Sequence, residues 1–156
     1  MQLPPDFKEF IESMITASVR FVMIGGYAYN LYRNPRATGD IDFIVALTDD
    51  NEKRLRRALT EFGFGSTLPE ESNPLLVDGK VLMLGRSPMR IDILTRIDGV
   101  TFEEVEMNCI FIQFDELSVP VISPQLLLRN KLASGRPKDL LDAVQLRDWL
   151  ESEGAI

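Results

Sequence analysis

The apolar positions change their period several times along the chain, and each change marks an element. Between residues 5 and 18, Phe7, Phe10, Ile11, Met14 and Ile15 recur at helical spacing behind a proline in the first turn, which predicts a helix. The run Phe21-Val22-Met23-Ile24 is apolar without interruption and stops at Gly25-Gly26, so it reads as a short buried strand. A helix over Tyr27 to Tyr32 starts from those glycines and is broken by Asn34-Pro35-Arg36. Asp40 to Leu47 reads as a second strand. Over residues 50–62, Leu55, Leu59 and Phe62 supply one face and Lys53, Arg54, Arg56 and Arg57 the others. That is a strongly amphipathic helix, ended by Gly63 and Gly65.

The second half is strand-rich until its end. Residues 66–79 hold Pro, Ser, Asn and Glu and read as a loop. Val81 to Leu84 and Met89 to Leu94 read as strands of a hairpin across Gly85-Arg86-Ser87-Pro88. Thr101 to Val105 suits a helical turn, Cys109 to Phe114 and Val119 to Ile122 suit strands, and residues 124–134 and 137–151 suit helices divided by Gly135-Arg136-Pro137. The order predicts an α/β (α+β) fold, a mixed β-sheet flanked by helices. It also predicts one domain over 1–156, with a core at 20–122 and C-terminal helices at 124–151.

Composition narrows the chemistry. The chain has 156 residues, of which 45% are hydrophobic and 26% charged, within the range of soluble globular domains. No apolar run approaches the roughly 18 residues of a membrane span, and the N-terminus lacks a signal-peptide pattern, so the expected location is the cytoplasm. There is no histidine, which removes Ser-His-Asp and Cys-His nucleophiles, histidine bases and ordinary zinc sites. Metal chemistry would rest on oxygen ligands, hence Mg²⁺ or Mn²⁺. The single cysteine, Cys109, excludes an intrachain disulfide and is expected as a buried, inert thiol within a strand. A net charge of −7 argues against a wide nonspecific nucleic-acid footprint but leaves room for one RNA end in a locally basic groove.

Two aspartates carry the strongest signal. Asp40 and Asp42 open the second strand, separated from Gly26 by a gap of 13 residues. Residues i and i+2 of a strand share a face, so the carboxylates converge, with Cα atoms about 7 Å apart. Two such charges are unfavourable together unless a cation or a proton offsets them. The plain alternative is that both acids line the polar face of a half-exposed strand. Upstream, a strand running into Gly25-Gly26 and then a helix lets backbone approach a phosphate, although many strand-to-helix turns use glycine without one. Asp92, in Arg90-Ile91-Asp92-Ile93-Leu94, is an acid inside an apolar strand. If that strand lies beside Asp40–Leu47, three carboxylates form a two-metal cage. If it does not, Asp92 pairs with Arg90 or Arg96 at the surface. Lys131 and Asp139 cannot share one regular helix face and meet only across the Gly-Arg-Pro turn; a solvated lysine and a helix-start acid are the bland reading. The basic cluster Lys53, Arg54, Arg56 and Arg57 is an RNA surface or a solvated helix face.

Hydrophobic-Gly25-Gly26, a gap, Asp40-Ile41-Asp42 and a later strand Asp92 together resemble the polymerase-β-type nucleotidyltransferase superfamily. The strings Arg36-Ala37-Thr38-Gly39-Asp40-Ile41-Asp42 and Lys131-Leu132-Ala133-Ser134-Gly135-Arg136-Pro137-Lys138-Asp139-Leu140 resemble its AbiEii-type, toxin-like branch. The resemblance spans residues 21 to about 145. It implies that Gly25 and Gly26 cradle the β- and γ-phosphates, and that Asp40, Asp42 and Asp92 hold the metal, with Asp92 activating the acceptor hydroxyl. It further implies that Lys131 neutralises triphosphate charge, that Asp139 orients Lys131 or the nucleotide, and that Arg36 and Thr38 touch phosphate oxygens. Many superfamily members carry Gly-Ser where this chain has Gly25-Gly26.

The function implied is Mg²⁺-dependent (or Mn²⁺-dependent) transfer of a nucleoside monophosphate from an NTP such as ATP to a hydroxyl. The acceptor would be a tRNA 3′ end or a protein, in a toxin–antitoxin setting with an antitoxin partner. The alternatives are an inactive nucleotide-binding or interaction module on the same fold, and an enzyme acting on small, antibiotic-type acceptors. An aspartyl-phosphate phosphatase also uses Asp-x-Asp, but its motif follows a strand and needs no upstream Gly-Gly.

Overall fold

The computed structural model describes residues 2–33, 38–86 and 88–156. The expected break at Asn34-Pro35-Arg36 and Ser87 of the hairpin turn lie outside them. Six strands form one mixed sheet in the order β3-β4-β2-β1-β6-β5. Helix α1 (Pro5–Thr16) leads into β1 (Phe21–Ile24), which turns directly into α2 (Gly25–Tyr32); β2 (Asp40–Val45) returns antiparallel to β1. Helix α3 (Asp49–Leu59) starts at Thr48, whose side chain accepts from the Asn51 backbone N–H, and carries three acids in its first turn against its dipole.

α3 ends three residues before the expected residue 62. Thr60 donates its hydroxyl back to the Arg56 carbonyl, and a wide π-helical turn over Thr60–Phe64 follows, with Gly63 at φ 112°. The wide turn carries Phe62 inward, edge-on to Phe10 at 5.4 Å between ring centroids. Arg56 donates to the carbonyls of Pro69, Glu70 and Asn73, and Arg54 to that of Ser18. Those two members of the basic cluster therefore bind the protein's own backbone and clamp the following loop.

β3 (Val81–Leu84) and β4 (Arg90–Leu94) form the predicted antiparallel hairpin, and β4 lies parallel to β2. The expected turn at 101–105 is helix α4 (Phe102–Met107), held by a reciprocal cap in which Thr101 and Glu104 satisfy each other's backbone N–H groups. β5 (Ile110–Phe114) and β6 (Leu117–Val121) make a second hairpin, and β6 lies parallel to β1. Cys109 falls just before β5 and is half-buried rather than inside a strand; burial, with Glu106 nearby, raises its thiol pKa. Helices α5 (Pro124–Ser134) and α6 (Pro137–Ser152) close the chain.

The alternation along β2 sorts the molecule. Ile41, Phe43 and Val45 are fully buried on one face, where Phe43 meets Phe10 of α1 and Phe21 of β1. The opposite face carries Ile44 and then, toward the start of the strand, Asp42 and Asp40. Among the described residues no helix is long and apolar enough to cross a membrane.

Candidate active site

Strand register brings the three predicted acids together. Asp42 stands opposite Asp92 in the parallel β2–β4 pair, and Asp40 stands opposite Arg90. On the other side of β2, Asp42 faces Ile24, the residue before the glycines. Asp92 is 8% exposed, so it is no surface acid.

Gly25 adopts φ +72°, and a Cβ there would fall 2.2 Å from Asp42 Oδ2. Only glycine leaves room for that carboxylate, because both the left-handed backbone and the contact exclude a side chain. At Gly26 a Cβ would fall 3.0 Å from Thr38 Oγ1, and that hydroxyl donates to the Asp40 carbonyl at 3.2 Å. The glycine pair is thus fitted closely to the acid strand and to its lead-in. Arg36 lies outside the described residues.

The electrostatics of the cluster oppose full ionisation. Burial, then the neighbouring carboxylates of Asp92 and Asp40, push the Asp42 carboxyl up to about 7, against a smaller downward pull from Arg90. Arg90 supplies the local positive charge. Its Nη2 donates to Asp40 Oδ2 at 2.8 Å and to Asp92 Oδ2 at 3.1 Å, and its Nε donates to Asp92 Oδ1 at 2.9 Å. Both outcomes considered for Asp92 therefore occur at once: it joins the acid pair and it pairs with Arg90. Arg96 pairs instead with Asp78 at 3.0 Å.

The donor set is all oxygen, as a hard divalent cation requires, and the Asp42 carboxylate takes the room that a side chain at 25 would fill. As they stand, no three acids among the described residues are arranged to enclose a metal ion. The Arg90 guanidinium takes oxygen lone pairs of Asp40 and Asp92.

Lys131 and Asp139 meet across the turn in a separate buried cluster. Lys131 Nζ lies 2.9 Å from Asp142 Oδ2 and 3.4 Å from Asp139 Oδ1, and 5.4 Å from the ring centroid of Tyr29 on α2. Asp139 also accepts from the Ser134 hydroxyl at 2.5 Å and from Arg136 at 2.8 Å. Burial pushes the Asp139 carboxyl up, but Ser134, Lys131 and Arg136 together carry it below its ordinary value. Lys131 is only 5% exposed. In this structure its ammonium is engaged by two acids, which excludes the solvated lysine of the bland reading. Asp142 was missed from sequence, although Asp139-x-x-Asp142 places both acids on one helix face. Tyr29 and α2 connect the two clusters, because α2 begins at Gly25 and reaches Lys131 one turn later.

A model of the family described as "Nucleotidyl transferase AbiEii toxin, Type IV TA system" matches residues 13–155. The fold is similar to the crystal structure of a candidate nucleotidyltransferase from Thermotoga maritima. The TM-score is 0.58 at 16% sequence identity, over 94% of this chain and 91% of that one. No curated protein matches the chain.

Proposed function

The chain belongs to the AbiEii nucleotidyl transferase toxin family, and from that premise we propose that it moves a nucleoside monophosphate from an NTP to a hydroxyl acceptor, with Mg²⁺ or Mn²⁺. The observation that carries this reading is the register of β2 with β4, which sets Asp92 opposite Asp42, whose carboxylate packs against the Cα of Gly25.

Asp40, Asp42 and Asp92 would hold the cation. When bound, it would neutralise triphosphate charge and lower the pKa of the acceptor hydroxyl. The first turn of α2 would offer backbone N–H groups to the β- and γ-phosphates at Gly25 and Gly26, and Thr38 and Arg36 would contribute phosphate contacts. Asp92 accepts the proton of the acceptor hydroxyl. The acceptor oxygen bonds to the α-phosphorus as the bridging oxygen to the β-phosphorus departs with pyrophosphate. Lys131 and Asp139 serve as positioning residues, tying α5 and α6 to the helix that begins at the glycines. The family's toxin–antitoxin setting implies an antitoxin partner, and a macromolecular hydroxyl, on an RNA 3′ end or a protein, as the acceptor.

The test is incubation of the protein with each labelled NTP, Mg²⁺ and either total tRNA or cell lysate, beside an Asp40→Ala/Asp42→Ala variant. Label is expected on RNA or protein with the wild type alone, and its partition identifies the acceptor. No transfer above the variant with any NTP would overturn the reading.

A further inference from the structure

Arg90 is the one residue in the acid cluster that the proposed reaction leaves without a role. It extends from the same face of β4 as Asp92, two residues away, and stands in register with Asp40. One edge of its guanidinium is engaged: Nε and Nη2 grip both oxygens of Asp92, and Nη2 also reaches Asp40. Its side chain is 33% exposed, so the guanidinium has a path outward. A guanidinium stays charged at every relevant pH, and its planar fork matches a carboxylate and a phosphate equally well.

These contacts set up a competition. A small divalent cation needs oxygen ligands at about 2.0–2.1 Å in near-octahedral order. The lone pairs of Asp40 and Asp92 that would supply them are the ones that accept from Arg90, and a guanidinium and a dication cannot occupy the same gap. Arg90 must therefore leave for the cation to be fully ligated. Leaving bare would cost it two charge-assisted partners. A triphosphate arriving at the neighbouring glycines offers replacement oxygens of the same geometry.

We propose that Arg90 is an exchangeable internal counter-ion: it holds Asp40 and Asp92 while the site is empty, disfavours cation binding without nucleotide, and transfers to the triphosphate as the cation enters. Cation and nucleotide are then coupled through one side chain, and the coupling is reciprocal by linkage. The proposal rests on the nucleotidyltransferase reading for the identity of the triphosphate.

The test is Mn²⁺ binding, read from the free-ion electron paramagnetic resonance signal, with and without a non-hydrolysable NTP analogue. Wild type, Arg90→Gln and Arg90→Lys are compared, with circular dichroism as the check of folding. Without nucleotide, Arg90→Gln is expected to bind Mn²⁺ at least tenfold more tightly than wild type. The tightening that the analogue produces in wild type should shrink at least fivefold in the variant. Arg90→Lys keeps the charge but cannot span both acids, so it should also exceed wild type in nucleotide-free binding; it decides the matter if Arg90→Gln fails to fold. Unchanged or weaker Mn²⁺ binding in the folded variants overturns the proposal while leaving the transferase reading intact, provided wild type still binds Mn²⁺ with the analogue. Absence of Mn²⁺ binding in all three proteins under both conditions overturns both.

Discussion

A carboxyl crowded by other acids and a carboxyl gripped by cations respond to pH in opposite senses, and Asp42 and Asp139 illustrate the two cases. Asp42 is raised from 3.8 to about 7, so the folded state holds its proton where the unfolded state has lost it. Folded protein then binds more protons across that window, and stability falls as pH rises through it. Asp139 has its pKa lowered, so its contribution is present above the ordinary carboxylate range and is lost as pH falls through the folded value. Asp42→Asn should therefore stabilise the cation-free protein at pH 8 by on the order of 1 kcal/mol, or about 2–4 °C in Tm. The gain should shrink toward pH 4.5, and thermal unfolding in EDTA at the two values would show it; an equal gain at both would contradict the assignment. Gly25 supports a second prediction at this scale. Gly25→Ala must place a methyl 2.2 Å from Asp42 Oδ2 on a left-handed backbone, and should cost about 2 kcal/mol or more. Adding Asp42→Ala should recover about 1 kcal/mol of that loss in urea unfolding. Strict additivity of the two substitutions would show that no contact links them.

At the scale of elements, α2, α5 and α6 act together through charges that the sequence distributes over one turn. Lys131 of α5 faces Asp139 and Asp142 of α6, and all three are nearly inaccessible. α2 is joined to α6 by the hydrogen bond from Tyr29 to Gln145 and by the stacking of Tyr32 on Trp149. Lys131→Met would leave two acids buried without their shared cation, a change that costs roughly 3–5 kcal/mol in buried pairs. The expected result is a lower urea midpoint at pH 7, with the deficit shrinking at low pH as Asp139 protonates. A midpoint within error of wild type would mean that the cluster contributes nothing to docking α5 on α6. Much of this cluster was hidden in the sequence. The spacing of Lys131 and Asp139 showed that they could meet only across the Gly135 turn, where the backbone is left-handed at φ 68°. It did not show their burial, because the low amphipathicity of α5 and α6 gives no single apolar face from which to read an inside.

Over the whole molecule, what was legible follows from period, and what was not follows from pairing between distant strands. Alternation in β2 and the unbroken apolar run of β1 locate both strands, since each property belongs to residues adjacent in sequence. The parallel pairing of β2 with β4 joins residues 50 positions apart, so Asp92 was a conditional third acid until the register was known. Arg90 as the link between Asp40 and Asp92 follows from that same register. The widening into a π-helical turn after Leu59 is invisible in the sequence because Phe62 continues the apolar spacing, and the backbone departs from helical angles only at Gly63.

The closeness of Gly25 to Asp42 also fixes an order of historical change. A lineage that abandons the reaction can lose Asp42 first and then admit a side chain at 25 with only the backbone strain left to bear. The reverse order passes through an intermediate in which a new methyl and the old carboxylate compete for one space. Degenerate descendants of this chain that bear a side chain at 25 should therefore have already shed the acid at 42, and a chain that keeps the acid should keep the glycine.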